Sequence, residues 1–343
     1  MSVDGLDSRQ KVMDVFNRKS TGKGVMWTGS PFDETVSIYA KEWGIEFSHE
    51  AVFQYLNDDC RWGGTWEMKV KPGANLIDPN YGMKNDKKKG LAEGGCFSEV
   101  ETVAEIEAYP WPSIDDVEFN LVAENVERLK DKMVFTGLWS SFYHDMCGFF
   151  GMEKYFIQMY ENPAVVEAAT EKIVDFYVAA NDKLFSTIGE NFDTLFMGND
   201  FGTQLDLMVS PDKFREFVLP SIKRIADVGK KHGKKVMLHS CGSIYRIIPD
   251  LIDIGVDVIH PIQAKAVGMD AESLAQYKND VAFVGGIDAQ GILPFGTPEQ
   301  VADEVKRVRE ILGPNIVISA SHEAILPNIP AANMVALAKA AHE

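Results

Sequence analysis

The sequence has 343 residues, enough for two average domains or one large α/β barrel, and 45% of them are apolar, so a substantial core can be buried. Its formal net charge is −17, and a surface this acidic repels nucleic acid and anionic lipid, so neither is expected as a partner. No apolar run is long enough to cross a bilayer, and the first residues lack the pattern of a signal peptide, so a cytoplasmic location is expected. The four cysteines are scattered and do not indicate a disulfide framework.

The first part of the chain combines predicted helices with one strand and one irregular stretch. An amphipathic helix is predicted over residues 8–19 and a first strand over residues 24–29. Helical patterns follow at about residues 33–43 and 49–56. Residues 60–115 carry repeated Gly and Pro turn signals, and we interpret them as an irregular insertion of turns and short strands rather than a separate domain.

From residue 133 onward, apolar strands alternate with amphipathic helices, which indicates a buried parallel sheet. The predicted strands are 133–137, 193–198, 235–239, 256–260, 281–286 and 315–319. With the first strand and one strand inside the irregular stretch, the strand–helix units number eight, which closes a (β/α)8 TIM barrel. The prediction is therefore an α/β fold with a single barrel domain over residues 1–343. A doubly wound open sheet is the alternative, but no Gly-x-Gly-x-x-Gly turn follows the first strand.

Polar side chains collect where these strands end, which in a barrel is the edge that carries the chemistry. The candidate functional residues at or near these ends are Trp27, Trp139, Tyr143, His144, Asp200, Gln204, His239, Cys241, His260, Gln263, Asp288, His322 and Glu323. The set is rich in metal ligands and hydrogen-bonding groups. Read in chain order, the strand ends bring no Lys or Arg before Lys265. Such a pocket suits a neutral or cationic substrate, or one held by a metal.

The motif His239-Ser240-Cys241 places an imidazole and a thiol two residues apart at a predicted strand end. Residues i and i+2 point to the same side of a strand, and zinc binds such N and S ligands, so the pair can share one metal ion. Two ligands do not make a site, and a hydrogen-bonded core histidine beside a small buried cysteine is an equal alternative. Asp200 could instead cap a helix, and His260 could make a purely structural hydrogen bond.

Several segments, in a fixed order, resemble the uroporphyrinogen decarboxylase superfamily and, more narrowly, its branch of corrinoid-dependent, zinc-binding methyltransferases. The matching segments are Gly137-Leu138-Trp139, Met197–Gly202, Leu238–Gly242, Gly285–Asp288 and Ser321-His322-Glu323. The resemblance covers most of the chain and is strongest from residue 134 onward. It implies the (β/α)8 fold, a zinc ion bound by His239 and Cys241, and a corrinoid (cobalamin) carried by a partner protein.

Two departures from the family pattern bear on the reaction. Porphyrinogen decarboxylases carry an arginine-rich motif after the first strand, and residues 27–33 contain no arginine here, so porphyrinogen decarboxylation is not expected. The coenzyme M methyltransferases of the branch have a cysteine after the last strand as a third zinc ligand, and this chain has none there. Counting back from Pro327 puts Glu323 at that position, and a one-residue insertion puts His322 there; both residue types bind zinc.

The resemblance implies a zinc-dependent methyltransferase, and the missing cysteine bears on which methyl donor it uses. A site richer in N and O ligands is a stronger Lewis acid and suits a thiolate substrate less, so we expect transfer from a small methylated donor, such as a methyl ether, to the corrinoid protein. Asp200, His260 and Tyr143 would orient the substrate or supply a proton. The residues expected to contact the substrate are Trp27, Trp139, Phe142, Phe201, Gln204 and Gln263.

Two other functions stay open at this point. One is a metal-independent decarboxylase that uses Asp200 and its polar neighbours on a small carboxylic acid. The other is a non-catalytic module that binds a corrinoid or a metal. The sequence does not fix the oligomeric state, for which a homodimer is one candidate.

Overall fold

A computed structural model of the protein describes residues 7–22, 24–64, 68–72, 74, 77–78, 82–83 and 95–343. Its strands are β1 (Ser30–Pro31), β2 (Cys60–Trp62), β3 (Lys69–Val70), β4 (Ile77–Asp78), β5 (Gly82–Met83), β6 (Val117–Glu118), β7 (Met133–Thr136), β8 (Thr194–Gly198), β9 (Lys235–His239), β10 (Val258–Ile262), β11 (Ala282–Ile287), β12 (Ile316–Ala320) and β13 (Ala324–Ile325).

The described helices alternate with these strands over most of the chain. They are α1 (Ser8–Phe16), α2 (Asp33–Trp43), α3 (His49–Tyr55), α4 (Val103–Ala108), α5 (Asn120–Arg128), α6 (Phe142–Phe150), α7 (Met152–Glu161), α8 (Pro163–Ile188), α9 (Pro211–Lys213), α10 (Leu219–Lys231), α11 (Ile248–Asp253), α12 (Ala271–Leu274), α13 (Ile292–Phe295), α14 (Pro298–Leu312) and α15 (Ala331–His342). A π-helical turn, Phe214–Val218, joins α9 to α10. Among these helices, none combines the length and the apolar character that crossing a bilayer requires.

Seven strands form one parallel sheet in the order β12-β11-β10-β9-β8-β7-β2. The extended segment 25–28 fills the place between the two outer strands of this sheet. Met26 pairs in parallel with Ile318 of β12, and its carbonyl oxygen accepts a hydrogen bond from Asp59, the residue before β2. The sheet therefore closes on itself, and the predicted (β/α)8 barrel is confirmed.

The amino-terminal end of the barrel is plugged by α1. Val12, Val15 and Phe16 lie on one face of this helix and are fully buried in the cluster that fills the barrel interior. Ser8 and Arg9 hold the helix in place through hydrogen bonds to carboxylates that precede β2 and β8. The carboxyl ends of the strands therefore form the accessible mouth.

Residues 60–115, predicted to be an irregular insertion, contain the barrel strand β2 and the short strands β3, β4 and β5. β2 pairs in parallel with β7, whereas β3 pairs with β6 and β4 with β5 in antiparallel fashion. Residues 84–94, which the prediction included in this insertion, lie outside the described residues.

Truncating the plug of the barrel should remove a large share of the stability. Phe16→Ala deletes a fully buried ring that stacks on Phe135, so we expect the free energy of unfolding to fall by about 3–5 kcal/mol. Gln10→Ala, on the exposed face of the same helix, should change it by less than about 0.5 kcal/mol. Urea unfolding followed by circular dichroism measures both variants, and equal losses would contradict the role of α1 as a plug.

Candidate functional site

His239 lies at the centre of the site because the register of three neighbouring strands aligns their carboxyl ends. It ends β9, opposite Gly198 of β8 on one side and His260 of β10 on the other. Met237 points into the barrel, so His239, two residues later, faces the same way. Its Nδ1 lies 3.0 Å from Nδ1 of His260, which is a hydrogen-bonding distance.

Cys241 and Asp200 lie on the other side of the His239 ring. The Cys241 Sγ is 3.6 Å from His239 Nε2, and Oδ1 of Asp200 is 3.4 Å from the same nitrogen. The Cys241 N–H donates to Asp200 Oδ1 at 2.7 Å, which ties the loop after β9 to the loop after β8. Gly242 permits this close approach, because its φ is +81° and a side chain there would come within 2.3 Å of the Gly202 carbonyl oxygen.

Glu323 and His322 approach the cluster from the loop between β12 and β13. Glu323 Oε2 is 3.6 Å from His239 Nδ1, and His322 Nδ1 is 3.8 Å from the same carboxylate oxygen. The neighbouring Cys241 side chain and Glu323 carboxylate raise the pKa of His322 above its ordinary value. The Glu323 carbonyl accepts the Ser30 N–H at 2.6 Å, which fixes this loop against the one after the first barrel segment. The structure thus brings together all four residues that the motifs put forward as metal ligands.

Neighbouring charges set the protonation of this cluster. Burial opposes a charge on His239, but the carboxylates of Glu323 and Asp200 raise its pKa well above the ordinary value. Burial also disfavours an ionised Asp200, yet its contact with His239 holds the pKa of Asp200 well below the usual range. His260 is buried and faces the charge of His239, so its pKa lies well below the ordinary value. These shifts favour charge on Asp200 and His239 and disfavour it on His260.

Two overlapping groups of side chains have the spacing to hold a metal ion, and both include His239. Asp200, His239 and Cys241 form one group, and His239, His260 and Glu323 form the other; in each, the ligand atoms lie within 4.8 Å of one another. Glu323 Oε2 and His260 Nε2 are buried and have no hydrogen-bond partner among the described residues. Because zinc takes N, S and O donors, these residues fit a zinc ion.

Three of the residues predicted to contact the substrate lie beside the cluster. The ring of Trp139 is 4.9 Å from that of His239, and the ring of Trp27 is 5.0 Å from that of His260, measured between centroids. Gln263 accepts a backbone hydrogen bond from the loop after β9. The two indoles give the imidazoles an apolar border.

Four other predicted site residues belong to the helical layer or the rim. Phe142 and Phe201 are buried in the apolar layer outside the sheet, and Gln204 is exposed on the loop after β8. Tyr143 packs edge to face on Phe201 at 5.3 Å, and its buried hydroxyl has no hydrogen-bond partner among the described residues. Their roles toward a substrate stay predictions.

Three further residues support the site without having been given a role from the sequence. His144 Nε2 accepts the Asp200 N–H at 3.1 Å. Asn199 Oδ1 accepts the backbone N–H of Tyr143, the second residue of α6, at 2.9 Å. Trp62 of β2 packs against Trp139 with 5.5 Å between ring centroids. His144 and Asn199 come shortly after predicted strands, and that position could have marked them as residues near the mouth of the barrel. The strand that carries Trp62 was not located within the irregular stretch.

A closed parallel barrel with His, Cys and carboxylate side chains clustered at the carboxyl ends of its strands has the architecture of a barrel enzyme. A sequence model of the uroporphyrinogen decarboxylase (URO-D) family matches residues 91–343. The chain belongs to this family, which confirms the resemblance predicted from its motifs.

Two proteins of Methanosarcina mazei are similar to the chain. A methylated-thiol–coenzyme M methyltransferase is 29% identical over 143 residues, which are 42% of this chain and 35% of that relative. The match thus spans about a third of the curated relative's length. A solved structure of a methyltransferase superposes with a TM-score of 0.71 over 98% of each chain at 14% identity, which shows a shared fold. The name of the curated relative agrees with the methyltransferase branch that the motifs predict.

Gly242→Ala should disrupt the loop that carries Cys241. The positive φ and the nearby Gly202 carbonyl both oppose a side chain, so we expect the free energy of unfolding to fall by about 2–4 kcal/mol. Gly44→Ala is the matched control, because Gly44 has a φ of +67° but an added Cβ there meets no atom within 4 Å. It should cost only about 1–2 kcal/mol. Urea unfolding of the metal-free proteins measures both, and a loss no larger for Gly242→Ala would contradict a tight Gly202–Gly242 contact.

Proposed function

We propose that this protein is a zinc-dependent methyltransferase that moves a methyl group from a small methylated donor, such as a methyl ether, to a corrinoid carried by a partner protein. The observation that carries the proposal is the convergence of His239 and Cys241 with carboxylates at the mouth of the barrel. Relatives named as methyltransferases support the reaction class.

His239 and Cys241 would hold the zinc ion, and Glu323, His322 or Asp200 would supply the third ligand. When bound, zinc supplies Lewis acidity that stabilises the anion left behind as a methyl group departs. The absence of arginine from residues 27–33 weakens the alternative of decarboxylating a polycarboxylate.

The chain's own residues position the donor. The buried Nε2 of His260 has no partner among the described residues, and burial lowers the pKa of this imidazole, so we assign it a hydrogen bond to the heteroatom of the donor. Contact with His239 lowers the pKa of Asp200, which favours a role as a charged group over one as a proton donor. Trp27 and Trp139 border the imidazoles with apolar surface, which suits a methyl group and excludes water.

A macromolecular acceptor is supported by the rim of the mouth. Large apolar side chains are exposed on segments that follow the barrel strands, in four loops and at the end of α13. They are Phe32, Leu205, Val267, Phe295 and Leu326. Segments that follow parallel strands share the carboxyl edge of the barrel, and exposed apolar side chains are typical of protein interfaces, so this rim is where we expect the corrinoid protein to dock.

Methyl transfer to reduced cobalamin tests the reaction directly. The zinc-loaded protein should convert cob(I)alamin to methylcobalamin, followed by absorbance, with at least one donor from a panel of methyl ethers and methylated thiols. Cys241→Ala should lose bound zinc and lower the transfer rate by at least about 100-fold, because it removes the thiolate ligand. Cys96→Ala, which alters an exposed cysteine, should keep both.

Two results would contradict the proposal. Release of CO2 from a small carboxylic acid without methylation of cobalamin would favour a decarboxylase instead. Full methyl transfer by the metal-free protein would rule out a need for zinc.

A further inference from the structure

The distances around His239 Nε2 match those of a zinc ligand set. In a tetrahedral zinc site with ordinary bond lengths, a sulfur and a nitrogen ligand lie about 3.5 Å apart, and an oxygen and a nitrogen ligand about 3.4 Å apart. Cys241 Sγ is 3.6 Å and Asp200 Oδ1 is 3.4 Å from this nitrogen. Both distances to His239 Nε2 therefore match those that a shared zinc ion would give, and all three atoms lie within 4.8 Å of one another.

The other nitrogen of the ring has a different environment. Nδ1 of His239 is 3.0 Å from Nδ1 of His260, which is a hydrogen-bond length and shorter than the roughly 3.3 Å between two nitrogens on one tetrahedral zinc. Glu323 Oε2 is 3.6 Å from the same atom. A zinc-bound histidine almost always donates its second N–H to a nearby acceptor. His260 Nδ1 is placed to be such an acceptor, and the Glu323 carboxylate is near enough to attract the same N–H electrostatically.

The surroundings of Asp200 suit a ligand. Its Oδ1 accepts the Cys241 N–H, and its own N–H donates to His144 Nε2, so the carboxylate is held in place before a metal binds. Its side chain is 32% exposed, whereas that of His239 is 5% exposed, so an ion from solvent can reach the carboxylate.

We propose that Asp200 is the third zinc ligand, together with His239 Nε2 and Cys241, and that His260 and Glu323 are positioning residues that orient the His239 ring through Nδ1. This assignment rests on the proposed zinc function. It replaces Glu323 or His322, the third ligands predicted by counting back from Pro327, with Asp200. The competing site of His239, His260 and Glu323 would use Nδ1 and would leave Cys241 unbound, since Cys241 faces the opposite nitrogen of the ring.

Zinc affinity and the spectrum of the cobalt(II)-substituted protein separate a ligand from a positioning residue. Asp200→Asn keeps the side-chain size and an acceptor for the Cys241 N–H, but replaces a carboxylate by a weak neutral ligand. We expect it to lower zinc affinity, measured by competition with a chromophoric chelator, by at least about 100-fold and to change the cobalt d–d bands. Glu323→Gln and His260→Asn should lower affinity by about 10–100-fold while leaving the d–d and thiolate-to-cobalt bands in place.

The matched control is Asp206→Asn. Asp206 lies on the same loop as Asp200, and its exposed carboxylate pairs with Arg246. It should change neither affinity nor spectrum. Circular dichroism and thermal unfolding of the metal-free variants establish that each is folded before metal is added.

The assignment would be overturned if Asp200→Asn kept wild-type bands and affinity while Glu323→Gln or His260→Asn changed the bands. A wild-type protein that binds neither zinc nor cobalt would overturn the proposed zinc function itself. The two failures are therefore distinguishable.

Discussion

The site depends on the parallel register that aligns β8, β9 and β10 at their carboxyl ends. Gly198, His239 and His260 lie side by side across these strands, so the residues that follow them enter the same space. A slip of one residue in β9 would turn the His239 ring to the other face of the sheet and separate it from Asp200. The register is well defined because both faces of these strands are buried.

An apolar floor makes the charges above it effective. Phe196 and Trp27 fill the barrel below the imidazoles, and Trp139 lies over β8 in the space that a side chain at Gly198 would occupy, since a Cβ there would be 2.0 Å from the indole. In such surroundings the attraction between His239 and Asp200 is stronger than it would be in water. The same packing that holds the barrel together therefore fixes the ionisation of the site.

The barrel could be predicted because a parallel sheet buried on both faces leaves short apolar runs that need no knowledge of strand pairing. The grouping of Asp200, His239 and His260 follows from the same pattern, since residues after parallel strands share one edge. The strand that carries Trp62 was not located, because its three residues lie in a stretch dominated by turn signals. The helix α6 also went unassigned, although it contains Tyr143 and His144.

Sequence patterns cannot show which nitrogen of an imidazole faces which neighbour. Counting along the last strand leads to Glu323 or His322, and both lie in the cluster, but counting cannot weigh them against Asp200, which comes from another strand. That comparison needs the distances on the two sides of the His239 ring, which depend on how the strands pair and how the loops fold back over them.

Zinc K-edge X-ray absorption on the zinc-loaded protein tests most directly whether His239 and Cys241 form a metal centre at the mouth of the barrel. Such a centre predicts one sulfur at about 2.3 Å together with nitrogen and oxygen ligands at about 2.0–2.2 Å, and loss of the sulfur shell in Cys241→Ala. A zinc environment of nitrogen and oxygen alone in the wild-type protein, or a sulfur shell that persists in Cys241→Ala, would contradict it.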